Sequence, residues 1–147
     1  MLLHSTPIAE GWNHFVGEIR NNLSLDPKLR ELAMCGVAVL NGAEYEFFHH
    51  APPFIKAGGT EEQVQALRLI GQPSFPRALF SDVENDAADL TFQMTRNIQV
   101  DSTLMKRLQT ALGNTDTVEL VTVVAAYNMV SRFLIALDVN PEEHPPE

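Results

Sequence analysis

Apolar side chains recur every three or four positions along most of the chain, which is the spacing of one face of an α-helix. Trp12, Phe15, Val16 and Ile19 show this spacing between residues 8 and 21. No stretch alternates with a period of two for long enough to predict a strand, and no turn dipeptide joins two β-branched segments. The pattern therefore predicts an all-α fold of about seven helices.

One of these helices is expected to lie at the centre of the fold. Asp26-Pro27 supplies an N-cap acceptor and a proline at the first helical position, and Asn41-Gly42 predicts the end of the same helix. Its interior, Leu32 to Leu40, is apolar on every side. A helix without a polar face has to be covered all round, so it should form the core.

The remaining helices are placed by capping residues and prolines. A segment from Ala43 to Ala51 meets Pro52-Pro53, which removes backbone donors and should break or kink the helix. Gly58-Gly59 then ends that stretch. The candidate N-cap residues of later helices are Thr60, Ser81, Asp101 and Asp116.

The stretch Val118 to Leu137 is the most apolar, and a membrane-spanning helix needs about 20 residues. It contains Asn128 and Arg132, however, so we interpret it as a buried helix or as part of a subunit interface. Residues 1–139 are predicted to form a single domain. Residues 140–147, rich in proline and glutamate, are predicted to be a flexible acidic tail.

Composition narrows the function classes. The chain has 147 residues and a net charge of -9, from nineteen acidic and ten basic side chains, so nucleic acid is not an expected partner. No basic and then apolar N-terminal pattern of a signal peptide is visible, which predicts a cytoplasmic protein. Cys35 is the single cysteine and excludes an intrachain disulfide, a CxxC pair and a cysteine-rich zinc site.

The candidate chemistry lies on two consecutive helices. Glu31 belongs to the apolar central helix, where a carboxylate is costly unless it is paired, hydrogen-bonded or protonated. Glu46 and His50 are four residues apart on the next helix and so share a face. Since a short turn at Asn41-Gly42 would pack the two helices antiparallel, Glu31 is predicted to approach His50. Two carboxylates and an imidazole around one pocket form a proton-handling set.

Other interpretations of these residues remain open. A glutamate and a histidine four residues apart are also a common surface pair. The same three side chains could ligate a metal, although without a known motif this is weak support, and neither a metal nor a cofactor is predicted. His49 is expected to face elsewhere, and Cys35, among apolar neighbours, is expected to behave as a small hydrophobe.

Several short motifs resemble the carboxymuconolactone decarboxylase and AhpD-like superfamily, best between Leu25 and Leu67. They are Arg30-Glu31-Leu32-Ala33, the Asn41-Gly42 turn, Tyr45-Glu46, His50-Ala51, Ala57-Gly58 and Thr60-Glu61-Glu62-Gln63. The helix from Val118 to Leu137 is similar to the C-terminal helix of many small members. The resemblance implies an AhpD-like helical bundle.

The two branches of this superfamily imply different chemistry. The alkylhydroperoxidase branch carries a glutamate, a CxxC pair and a histidine. Here Glu31 and His50 match, but Ala43 and Glu46 stand at the cysteine positions. The decarboxylase branch commonly has glutamate and phenylalanine before the histidine, and residues 46–50 resemble that pattern.

The resemblance therefore favours a cofactor-free lyase, or a related acid-base enzyme, that acts on a small anionic lactone or oxo acid. His50 would be the acid-base group, Glu46 would orient it, and Glu31 would relay or hold a proton. An arginine should receive the substrate carboxylate, either Arg30, Arg132 or another. The alternatives are a peroxidase of the AhpD type and a non-catalytic binding protein. AhpD-like relatives form closed homo-oligomers, so a symmetric trimer or hexamer is expected.

Overall fold

The computed structural model describes residues 2–139 and consists of helices joined by short turns, with no strand in that range. The α-helices are α1 (Thr6–Asn21), α2 (Pro27–Asn41), α3 (Glu44–Lys56), α4 (Glu61–Leu67), α5 (Asp82–Arg96) and α6 (Ser102–Ala136). Two short 3-10 helices, Leu2–His4 and Arg77–Leu79, precede α1 and α5. The all-α prediction is confirmed. The predicted tail at residues 140–147 lies outside the described residues.

Helix α2 is the centre of the bundle and contacts α3, α5 and α6 along its length. It begins as predicted, since the Asp26 side chain accepts a hydrogen bond from the backbone N–H of Lys28 at 2.8 Å and Pro27 occupies the first turn. Ten of its residues are buried, including every position from Glu31 to Ala38. A helix covered on all sides explains why its interior sequence has no polar face.

A two-residue turn reverses the chain between α2 and α3. Gly42 has a left-handed conformation with φ 68°, and its N–H donates to the carbonyls at the end of α2. The Ala43 N–H donates to the Ala38 carbonyl at 2.8 Å, which closes the turn. This short reversal lays α3 directly against α2 and fixes which residues of the two helices face each other.

Of the predicted break or kink at Pro52-Pro53, the break does not occur. Helix α3 continues through both prolines to Lys56, and the Ala57 N–H donates to the Pro53 carbonyl at 2.9 Å. The prolines deprive the carbonyls of Phe48 and His49 of their usual helical donors. Both of those residues are exposed, so water can supply the missing hydrogen bonds at little cost.

Later helix starts follow the capping signals except in one place. Thr60 and Ser81 form capping boxes, and Asp101 caps α6. The further start predicted at Asp116 is about three residues too late, because the helical path is interrupted at Gly113, where φ is 77° and ψ is 175°. Glycine adopts this conformation without a steric penalty. Asp116 instead accepts a hydrogen bond from the Ser24 hydroxyl at 2.5 Å, which ties α6 to the segment before α2.

Among the described residues α6 is the one helix long and apolar enough to span a membrane, a property that the core helix of a soluble protein shares. One of its sides packs into the core through Leu120, Val123 and Tyr127. Val118 and Ile135, which lie away from that side, are more than half exposed. Only one side of α6 therefore belongs to the core.

The α2–α3 turn makes a testable contribution to stability. Gly42→Ala is expected to lower the free energy of unfolding by about 1 kcal/mol, because the left-handed conformation is costly for a residue with a Cβ. Urea titration followed by circular dichroism measures the change. The matched control is Gly11→Ala in α1, where a Cβ would meet no atom within 4 Å and φ is negative. That substitution should stabilise the protein by up to about 1 kcal/mol. Equal effects of the two substitutions would contradict this account of the turn.

Candidate active site

The buried carboxylate of Glu31, on α2, is hydrogen-bonded to His50 on α3. His50 Nδ1 lies 2.7 Å from Glu31 Oε2 in a hydrogen bond between two side chains that are 9% and 6% exposed. The second oxygen of Glu31 accepts from the Arg30 guanidinium, with Nη2 at 3.2 Å. Both oxygens of Glu31 are thus engaged by donors, which is what a buried carboxylate requires.

Glu46 lies on the other side of the imidazole. Its Oε2 is 3.4 Å from His50 Nε2, one helical turn away along α3. This oxygen is buried and makes no hydrogen bond within the described residues. The three side chains singled out from the sequence therefore meet around one imidazole ring, and each ring nitrogen faces a carboxylate.

Two residues that the sequence analysis did not single out for the site complete it. The Tyr127 ring packs edge-on against the His50 ring, with centroids 5.0 Å apart and planes at 83°. Its hydroxyl accepts a hydrogen bond from Arg20 Nε at 3.1 Å. A signal existed for each: a tyrosine in an apolar helix must find a partner for its hydroxyl, and Arg20 flanks the buried face formed by Val16 and Ile19.

These groups border a cleft of about 350 Å³, which is within the size range of small-molecule sites. Its lining residues are Arg20, Glu31, Tyr45, Glu46, His49, His50 and Pro53. His49, expected on a different face from His50, is exposed, and it borders this cleft with its ring centroid 4.3 Å from that of Tyr45. The continuation of α3 through the prolines is what places Pro53 beside His49 and His50.

Burial and hydrogen bonding act in opposite directions on His50. Burial lowers the pKa of the imidazole, but the hydrogen bond to Glu31 and the negative charges of Glu31 and Glu46 outweigh it, so the pKa is raised above its usual value. Burial raises the pKa of Tyr127 to about 12, against the smaller opposing effect of Arg20. The site thus favours a protonated imidazole beside a neutral phenol.

The single cysteine lies outside this cleft. Cys35 is fully buried in α2, four residues after Glu31. Burial, together with the negative charge of Glu31, raises the pKa of its thiol to about 12. It is therefore a neutral thiol in the core at physiological pH. Within residues 2–139 no group of three or more histidine, cysteine, aspartate or glutamate side chains has the arrangement of a metal site.

Comparison with a solved structure identifies the class of fold. A crystal structure of an Agrobacterium tumefaciens protein of unknown function, with a suggested assignment to the antioxidant defence protein AhpD, superposes with a TM-score of 0.80. The match covers 98% of this chain and 94% of that one, at 13% sequence identity, and shows that the two share the AhpD-like fold. No curated protein matches the sequence.

A match to a family sequence profile identifies the family of this chain. Residues 7–80 match the sequence profile of the carboxymuconolactone decarboxylase family, a range that contains α1 to α4 and the Glu31, Glu46 and His50 cluster. The chain belongs to this family, and the resemblance inferred from its short motifs is confirmed.

The raised pKa of His50 predicts how stability changes with pH. A group whose pKa is higher in the folded than in the unfolded state stabilises the protein fully below the unfolded value, about 6.5, and loses this contribution as pH rises through the folded value. The wild-type protein should therefore lose stability relative to His50→Gln as the pH rises above about 6.5. Urea titrations of both proteins across this range measure the difference.

Direct titration of the ring provides the control. The imidazole nitrogens of His50, assigned in NMR spectra by their loss in His50→Gln, should titrate above about pH 6.5. A His50 pKa below that value, or a stability difference that grows with pH, would contradict the dominance of the two carboxylates over burial.

Proposed function

We propose that this protein is a cofactor-free acid-base enzyme, a decarboxylating lyase that acts on a small anionic lactone or oxo acid. The observation that carries the proposal is the buried Glu31, His50 and Glu46 relay at a cleft large enough for such a substrate. Membership in the carboxymuconolactone decarboxylase family supports this reaction class.

The geometry suggests a role for each member of the relay. Glu31 holds the Nδ1 side of the ring, so the proton to be exchanged is the one on Nε2. Glu46 Oε2 lies 3.4 Å from Nε2, within ion-pair distance, and has no hydrogen-bonding partner in the described chain. His50 is the acid-base group, and Glu46 orients it toward the cleft.

The reaction needs no more than a proton and a desolvated site. The bond between the substrate carbon and its carboxylate breaks, carbon dioxide leaves, and the electron pair remains as a dienolate-like carbanion. His50 Nε2 donates its proton to the carbanion carbon and regains a proton from water. A raised imidazole pKa suits this role, because the ring must start the cycle protonated.

A thiol peroxidase is disfavoured by the environment of Cys35. A peroxidatic cysteine reacts as a thiolate and must be reached by peroxide. Cys35 is fully buried, and the pKa of its thiol is raised to about 12. Ala43 and Glu46 occupy the positions that match the cysteine pair of AhpD-type peroxidases.

Substitutions separate the acid-base hypothesis from the redox one. His50→Ala and Glu31→Gln are expected to lower kcat/KM by at least about 100-fold, since positioned acid-base catalysis contributes on the order of 10²- to 10⁴-fold. Cys35→Ser should retain most of the activity, because the reaction uses no thiolate. The assay follows carbon dioxide release from a panel of lactones and oxo acids under anaerobic, thiol-free conditions.

The outcomes of this assay are distinct. Loss of activity in Cys35→Ser, with an unchanged circular dichroism spectrum, would favour the redox function. Absence of turnover in the wild-type protein across the panel would favour a binding protein that has lost the chemistry of its family.

We also propose that the chain forms a symmetric homo-oligomer, a trimer or a hexamer. Apolar side chains remain exposed on α1 and α6, among them Ile8, Phe15, Val118 and Ile135. Exposed apolar surface on a small bundle is typical of a subunit interface.

The oligomeric state can be measured directly. Light scattering at low micromolar concentration should give a mass of three or six chains. An obligate interface of such an assembly would bury upward of about 2,000 Å² in total. A mass near the 16.3 kDa of one chain, unchanged on dilution, would contradict assembly.

A further inference from the structure

Arg20 has unused hydrogen-bonding capacity at the edge of the cleft. Its Nε donates to the Tyr127 hydroxyl at 3.1 Å, while Nη1 and Nη2 make no hydrogen bond within residues 2–139. The guanidinium lines the same cleft as Glu46 and His50. A planar guanidinium with two free terminal nitrogens matches the two oxygens of a carboxylate.

Tyr127 holds this arginine in a defined place relative to the imidazole. The tyrosine is 1% exposed, its ring packs against His50, and its hydroxyl binds Arg20 Nε. One rigid aromatic side chain therefore spans the arginine and the acid-base group. A long arginine side chain loses much of its rotamer freedom through such a contact, which lowers the entropic cost of binding a ligand.

The charged side chains around the cleft carry a net positive charge that one anion would neutralise. With His50 protonated, two cations that line the cleft (Arg20 and His50) balance two carboxylates, Glu31 and Glu46. Arg30 lies outside the cleft lining but binds Glu31 and adds one positive charge. The excess is one positive charge in a chain whose net charge is -9. A local positive excess in an acidic protein favours entry of a single negative group.

The other candidate arginines are already occupied. Arg30 binds Glu31 through Nε and Nη2, and Arg132 donates to the Asn128 carbonyl at 3.0 Å on the exposed surface of α6. Neither lines the cleft.

We propose that Arg20 binds the carboxylate that the substrate retains through the reaction, and that Tyr127 is the positioning residue that fixes Arg20 at a set distance from His50. The ligand class of this anchor is the product-like short-chain monocarboxylate with a carbonyl or lactone oxygen, which remains after the second carboxylate of the substrate has left as carbon dioxide. This inference rests on the proposed lyase function for the reaction, whereas the binding site can be tested without turnover.

Isothermal titration calorimetry with levulinate, a five-carbon oxo acid, tests the anchor in the full-length protein. Arg20→Gln should weaken levulinate binding about 10- to 100-fold, because a hydrogen-bonded pair of charges is lost. The matched control Arg132→Gln should leave the affinity unchanged. Methyl levulinate, which lacks the charge, should bind to the wild-type protein as weakly as levulinate binds to Arg20→Gln.

Two further measurements separate binding from a structural role. Guanidinium ion at millimolar concentration should restore levulinate binding to Arg20→Ala in a saturable manner and should not improve binding to the wild-type protein. Tyr127→Phe should weaken binding about 3- to 10-fold alone and cause no further loss when Arg20 is alanine. Additive losses would assign Tyr127 a merely structural role.

The anchor and the lyase function fail in different ways. Equal binding of levulinate to the wild-type protein and Arg20→Gln, equal binding of levulinate and its methyl ester, or no levulinate binding to the wild-type protein would each overturn the anchor. Arg20-dependent binding without turnover of any lactone or oxo acid would overturn the lyase function and leave the anchor standing. Turnover that requires His50 but has the same KM in Arg20→Gln would overturn the anchor and leave the lyase function standing.

Discussion

The hydrogen bond between Glu31 and His50 is the constraint around which this bundle is organised. A carboxylate inside a helix buried on every side has to be paired, and removing the partner of a buried charge typically costs about 3–5 kcal/mol. The Gly42 turn and the N-terminal start of α2 fix the relative heights of α2 and α3, so that this pair forms at 2.7 Å. The same arrangement then places the second ring nitrogen of the imidazole, Nε2, opposite Glu46.

Much of this arrangement follows from local signals. The start of α2 at Pro27, its end at Gly42 and the antiparallel return of α3 are each encoded in two or three adjacent residues. Once those boundaries are fixed, helical geometry leaves little freedom in where Glu31 and His50 lie. The contact was therefore predictable, whereas the catalytic role of the three side chains stays a prediction.

The rest of the site depends on packing between distant elements. Arg20 and Tyr127 are 107 residues apart and meet because α1 packs against α6. Periodicity identifies the buried face of each helix but does not specify which helices touch. The two local differences from the prediction have other causes. Exposed carbonyls allow α3 to tolerate Pro52 and Pro53. The break in α6 follows the backbone freedom of Gly113, not the capping signal at Asp116.

Glu31 also determines which chemistry the fold can support. Its negative charge raises the proton affinity of His50 across the α2–α3 contact and raises the pKa of Cys35 one turn further along α2. Burial adds to the second effect and opposes the first, so the cysteine stays a neutral thiol while the hydrogen-bonded imidazole holds its proton. A thiolate peroxidase needs the opposite: an exposed sulfur stabilised as an anion. In this chain the carboxylates surround an imidazole, and Glu46 adds a second negative charge at a position where the peroxidase branch has a cysteine. The electrostatics of the site therefore favour storing and transferring a proton over oxidising sulfur.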